Sequence, residues 1–107
     1  MYFNAKTTIY YDGRYLPATD AHVNLYMQTL HYGYGVFEGI RSYATDAGPR
    51  IFKAREHYER LIRSCELLGI PFAYSPEELA EITYKVLESN NMSDAYIRPL
   101  VICSPNM

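Results

Sequence analysis

The strongest constraint on the fold of this chain is a change of hydrophobic period near residue 54. Beyond it, Tyr58, Leu61, Ile62, Cys65 and Leu68 recur at the spacing of one helix face, and Gly69 followed by Pro71 supplies a stop. The spacing predicts a helix over Ala54–Leu68. A second helix is predicted from Ser75-Pro76-Glu77-Glu78, which offers an N-cap, a proline at the first helical position and a capping-box glutamate. Leu79, Ile82, Val86 and Leu87 carry its apolar face towards Asn90-Asn91. Before residue 54 the pattern is extended. Thr7–Tyr11 and Arg14–Pro17 flank Asp12-Gly13, a dipeptide tolerant of positive φ, and predict a hairpin. Val36–Tyr43 and Arg50-Ile51-Phe52 flank the turn-rich Thr45–Pro49 and predict a second. Ala95–Cys103 reads as a final apolar strand in which Pro99 removes one ladder donor, placing it at an edge or a bulge. The order β-β-β-β-α-α-β predicts an α+β class with two layers, an antiparallel sheet of hairpins packed against two helices.

A chain of 107 residues has room for one modest domain, and surface scaling for that size predicts roughly 6,100 Å² of folded accessible area. The content of 49% hydrophobic and 21% charged residues is that of an ordinary soluble globular protein. A net charge of −2 with scattered basic residues excludes a nucleic-acid footprint and polybasic membrane attachment. No run approaches the ~20 apolar residues of a membrane span, and Met1–Lys6 has no secretory pattern, so the expected compartment is cytoplasmic. Cys65 and Cys103, in apolar contexts far apart, read as reduced core thiols. His22, His31 and His57 have no partners at metal-ligand spacing, and no serine or cysteine has the context of a nucleophile. Twelve tyrosines without a tryptophan suit a polar-lined pocket or an interface.

Three features invite chemistry. Gly33-Tyr34-Gly35-Val36-Phe37-Glu38-Gly39 has glycine spacing suggestive of a phosphate loop, but the segment after it is extended, so the glycines read as a tight turn and a close backbone approach. Arg60 and Arg63 stand one turn after Glu56 and Glu59, as on a solvated helix face. Arg98 lies inside an apolar strand and shares one side with Tyr96 and Leu100; either that side is the outer face, or Arg98 awaits an anionic partner.

Leu30-His31-Tyr32-Gly33-Tyr34-Gly35-Val36-Phe37-Glu38-Gly39-Ile40-Arg41, Arg55-Glu56-His57-Tyr58-Glu59-Arg60-Leu61 and Ala95-Tyr96-Ile97-Arg98-Pro99-Leu100 together resemble the N-terminal domain of branched-chain amino acid aminotransferases. These are fold-type IV, class IV enzymes that use pyridoxal phosphate. The resemblance runs through essentially the whole chain. D-amino acid aminotransferase and aminodeoxychorismate lyase share the Glu-His-x-x-Arg-Leu segment but usually lack the Phe-Glu-Gly-Ile-Arg form. The resemblance implies transfer of the amino group of Leu, Ile or Val to 2-oxoglutarate. It implies that Arg60 binds the cofactor phosphate and that Phe37, Gly39, Tyr96 and Arg98 line the substrate pocket, supported by Arg41. Phe37 and Gly39 would shape the branched side-chain site, Tyr96 would hold the α-carboxylate, and Arg98 would receive the distal carboxylate of glutamate or 2-oxoglutarate. Tyr32 would reach into a neighbouring subunit, since the family is built from homodimers. The family's catalytic lysine belongs to a second, larger domain, and none of Lys6, Lys53 and Lys85 stands in a matching context. Residues 1–107 are therefore expected to be the N-terminal small domain without its catalytic domain, with no catalytic residue of its own and inactive alone. The alternatives are a non-catalytic module that self-associates through surface its missing domain would cover, or the N-terminal domain of a related class IV enzyme, D-amino acid aminotransferase or aminodeoxychorismate lyase.

Overall fold

The computed structural model describes residues 3–105. Asp12 and Gly13 both take positive φ, at 49° and 85°, and turn β1 (Thr8–Tyr11) into β2 (Arg14–Pro17) as expected. After a 3-10 turn at Ala18–Asp20 comes a helix the sequence pattern does not reveal, α1 (Gln28–Tyr32). Five residues are too few for a periodic signal, and no side chain caps its start. It ends on Gly33 at φ 64°, the left-handed position that favours glycine. Thr29 docks α1: its Oγ1 accepts from the Cys103 N–H at 2.8 Å and donates to the Tyr34 carbonyl at 2.7 Å.

The remaining elements are β3 (Gly35–Phe37), β4 (Ile40–Thr45), β5 (Gly48–Ile51), α2 (Ala54–Leu68), α3 (Pro76–Ser89), β6 (Ala95–Ile97) and β7 (Leu100–Ile102). The α+β class and both long helices are as expected, and Ser75 with Glu78 forms the full capping box. The sheet differs. Three small antiparallel sheets, β1-β2, β3-β7 and β5-β4-β6, stand in place of one: the β1-β2 hairpin pairs only with itself, and the other two are divided because both long apolar strands are interrupted. The interruptions, Glu38-Gly39 and Arg98-Pro99, face each other. Phe37 pairs with Leu100 and Ile40 with Ile97, an equal advance on both strands, so the register passes through the gap unchanged. Pro99 makes no bulge; it lacks the N–H that would complete the ladder, while its carbonyl accepts from the Glu38 N–H at 3.2 Å. β3–β4 and β6–β7 thus form one two-stranded ribbon with a single break.

Strand alternation gives the ribbon two faces. Val36, Glu38, Ile40 and Ser42 turn inward, whereas Phe37, Gly39, Arg41 and Tyr43 turn outward beside Tyr96, Arg98 and Leu100. The inner face joins the helices in a core of Ile40, Ile51, Tyr58, Leu61, Leu87 and Ala95, with Cys65, Ile70 and Cys103 beside it. Both cysteines are free and buried, and burial pushes both thiols up, as befits core residues.

Many tyrosine hydroxyls serve the fold rather than a pocket. Tyr10 bonds Tyr74 at 2.7 Å, Tyr34 donates to the Leu68 carbonyl, and Tyr84 accepts from the Ile51 N–H. The hairpin is fastened to α3 by Asn90, whose amide accepts from the Thr8 N–H at 2.8 Å and donates to the Thr8 carbonyl at 2.7 Å. Asn90→Ala leaves both groups without this partner, and urea unfolding should register a loss of about 1–3 kcal/mol; a loss under ~0.3 kcal/mol would remove that assignment.

The accessible surface is 7,625 Å², well above the roughly 6,100 Å² that scaling predicts. Leu25, Tyr26, Leu30 and Tyr32 near α1, and Phe37, Tyr96 and Leu100 on the ribbon's outer face, contribute to the excess.

Candidate functional site

Alternation along each strand, combined with the pairing register between them, brings five of the seven sequence-predicted site residues to one surface. Phe37, Gly39 and Arg41 from one strand meet Tyr96 and Arg98 from its partner, across the outer face of the ribbon. The Arg98 guanidinium stacks on the Phe37 ring at 4.5 Å and lies 5.4 Å from the Tyr96 ring centre, and its Nη2 donates to the Tyr96 hydroxyl at 2.6 Å. Arg41, paired directly opposite Tyr96, adds a second guanidinium 5.7 Å from the same ring centre. Gly39 makes this closeness possible: a Cβ there would stand 2.5 Å from the Tyr96 hydroxyl oxygen. Of the two readings left open for Arg98, the outer face is the one observed, with aromatic rings as its support. Phe37 and Tyr96 remain 60% and 52% exposed, so the surface is an open wall that a ligand can meet directly.

Arg60 stands elsewhere, on α2 beside the ribbon's inner face. The i,i+4 ion pair expected with Glu56 gives way to a longer reach. Arg60 Nε and Nη2 donate to the two oxygens of Glu38, both at 2.7 Å, and His57 Nδ1 lies 2.9 Å from Glu38 Oε1. The i,i+4 pair on α2 is Arg55 with Glu59 at 2.8 Å, and Arg55 also holds Glu77 at the start of α3. Glu38 is 5% exposed, a cost that the Arg60 guanidinium and the hydrogen bond with His57 offset. The Arg60 hydrogen bonds hold its carboxyl below the usual carboxylate range, His57 adds to this, and burial opposes both.

A carboxyl held low in the folded state contributes stability above its unfolded pKa and loses it as pH falls below that value and through its lowered folded pKa. Stability should therefore fall on acidification, and Glu38→Gln should flatten that fall in urea titrations at stepped pH; an unchanged slope would show that Glu38 is not its source.

Tyr32 joins neither group. It ends α1, 80% exposed, with His31 as its ring neighbour at 6.3 Å. His31 is satisfied structurally: its Nε2 lies 3.1 Å from the Leu25 carbonyl, and its ring stacks on Tyr26. Among the described residues no cluster of ligating side chains could hold a metal ion, and no helix is long and apolar enough to cross a membrane. Sequence reasoning passed over Glu38 and His57. The signal that drew attention to Arg98, a charge within an apolar run, was equally present at Glu38.

Gly35, Gly39, the α2 arginine and the ribbon all fall within a known sequence pattern: a model of the amino-transferase class IV family matches residues 35–106. The chain belongs to that family. Among curated proteins, this class IV aminotransferase chain is 42% identical over 93 residues to branched-chain-amino-acid aminotransferases of Pseudomonas aeruginosa and of Escherichia coli K12. Each match covers 87% of the chain and 30% of the relative. Among solved structures, a branched-chain aminotransferase from the thermophilic archaeon Thermoproteus uzoniensis, with norvaline, superposes with a TM-score of 0.86 at 36% identity. That match covers 94% of this chain and 35% of the other. The Escherichia coli branched-chain enzyme superposes at 0.82 with 41% identity, over 86% and 30% of the two chains. The chain therefore spans about a third of the length of the proteins it resembles.

Proposed function

We propose that the whole protein is a pyridoxal-phosphate-dependent branched-chain-amino-acid aminotransferase, and that these residues form its N-terminal small domain. The observation that carries this reading is the outer-face wall, in which an apolar ring, a missing side chain and an arginine fork lie side by side. Transamination needs one pocket to accept two unlike substrates in turn. The Phe37 ring and the space beside Gly39 suit a branched aliphatic side chain, while Arg98 offers a planar fork to the distal carboxylate of 2-oxoglutarate or glutamate. The Tyr96 hydroxyl accepts from Arg98 and keeps its own proton for a substrate α-carboxylate. Arg41 backs the Tyr96 ring.

The residues present fit a phosphate-bearing cofactor at Arg60. Two of its five N–H groups are engaged by Glu38, and the side chain is 60% exposed, so three donors remain for a ligand. Bound there, pyridoxal phosphate would supply the electron sink that transamination requires. This chain's part is to grip the phosphate and to orient and discriminate the substrate. Lys53 lies over the Phe52 ring and Lys85 pairs with Glu81, and the catalytic lysine is assigned to another domain. Exposed Tyr32 is offered to a second copy of the chain in a homo-oligomer. The compartment we assign is the cytoplasm, and the wider substrates are Leu, Ile, Val and their 2-oxo acids.

Amino-transfer assays on the whole protein test this. Leucine, isoleucine and valine should each donate to 2-oxoglutarate, with D-alanine inert; turnover of D-alanine in preference to them would move the protein to another branch of the family. Residues 1–107 alone should give no stoichiometric borohydride-reducible adduct with pyridoxal phosphate.

A further inference from the structure

Glu38 belongs to neither the substrate wall nor the phosphate donors, yet it is the most buried charge in the described structure and sits at the break of the ribbon. We infer that Glu38, backed by His57, is the positioning residue that fixes the Arg60 guanidinium for a phosphate monoester; this rests on the proposed role of Arg60.

The geometry is directional. Glu38 takes the side edge of the guanidinium, through Nε and Nη2, and leaves the end edge formed by Nη1 and Nη2 free. That end edge matches two oxygens of a phosphate. An exposed arginine on a flexible stem would otherwise sample many rotamers, and ordering it would fall to the ligand. Pinning one edge beforehand removes that cost from the binding step. The pin is itself held. His57 Nδ1, one turn before Arg60 on the same helix, lies 2.9 Å from Glu38 Oε1, and the inward setting of Glu38 is imposed by strand alternation.

Glu38 also connects the two halves of the site. Its backbone N–H bonds the Pro99 carbonyl, next to Arg98, and its chain neighbours Phe37 and Gly39 both belong to the wall. One residue thereby sets the phosphate donor and the substrate wall in a common frame.

The opposite role is physically plain, which makes the test sharp. A carboxylate beside an anion repels it, so a Glu38 that merely occupied Arg60 would compete with phosphate, and its neutralisation would tighten binding. The experiment titrates the whole protein with pyridoxal 5'-phosphate and with unphosphorylated pyridoxal, alongside the Arg60 Nε–H signal in nitrogen-15 NMR. Glu38→Gln should weaken the phosphorylated form on the order of tenfold, leave pyridoxal unchanged and remove the exchange protection of the Nε–H. Glu38→Asp, which keeps the charge and shortens the reach, should fall between the two and serves if the glutamine variant does not fold. Equal or tighter binding of the phosphorylated form by the variant that folds would overturn the inference. If Arg60→Ala abolishes the preference for the phosphorylated form while the Glu38 variants keep it, only the role of Glu38 falls. If Arg60→Ala keeps that preference, the phosphate assignment of Arg60 falls, and the inference with it.

Discussion

Replacing Tyr58 by alanine should remove about 3–5 kcal/mol of folding stability, the range for deleting a large buried aromatic side chain. Tyr58 is 2% exposed at the centre of the core between α2, α3 and the inner face of the ribbon. Its hydroxyl bonds Thr83 Oγ1, which in turn donates to the Leu79 carbonyl at 2.7 Å. Alanine therefore opens a cavity and also withdraws a partner from a buried hydroxyl. Against a total of ~5–15 kcal/mol for a domain, such a loss leaves little reserve. Tyr58→Phe separates the two contributions, because it retains the ring and should cost only about 1–2 kcal/mol. Urea unfolding of both variants measures the difference. Equal losses would mean that the hydroxyl, not the ring volume, holds the helix pair together.

Gly39→Val should have the reverse profile: near-normal folding with a large loss of function. A Cβ at this position would stand 2.5 Å from the Tyr96 hydroxyl oxygen and 3.3 Å from its Cζ. The obstructing atoms are the far end of a half-exposed side chain, so the ring can swing outward and the folding cost should stay below ~1 kcal/mol. The swing breaks the 2.6 Å contact from Arg98 and fills the space beside Phe37. On the proposed reading, kcat/KM for leucine should fall on the order of 100-fold, as positioning losses of about an ångström do. Steady-state assays of the whole protein, paired with thermal unfolding, make the comparison. A variant that folds normally and turns over leucine at the parent rate would take Gly39 out of the substrate wall.

The parts of the fold that sequence reveals are those whose causes are local. The Asp12-Gly13 turn, the face of α2 and the Ser75–Glu78 capping box each depend on residues within one or two turns of one another. What escapes depends on distant partners. Val36–Tyr43 reads as one continuous strand because nothing near Glu38 shows that Pro99 will lie opposite it and interrupt the ladder. Arg60 reads as paired with Glu56 because helix spacing is visible, whereas its approach to Glu38 requires the ribbon to be laid against α2. The wall was legible in part: the side shared by Tyr96 and Arg98 follows from alternation, but the meeting with Phe37 and Gly39 follows only from the pairing register.

The unbroken register across the Glu38–Pro99 gap also limits how segments of this kind can change length. Because side chains alternate strictly on both strands, adding or deleting one residue between Val36 and Ser42 would exchange the faces of everything beyond it. An insertion just after Val36 would turn the Glu38 carboxylate towards solvent and push Phe37 into the layer against α2. Duplications or deletions in this stretch can preserve both faces only in steps of two, whereas the loops outside the ribbon are free of that parity.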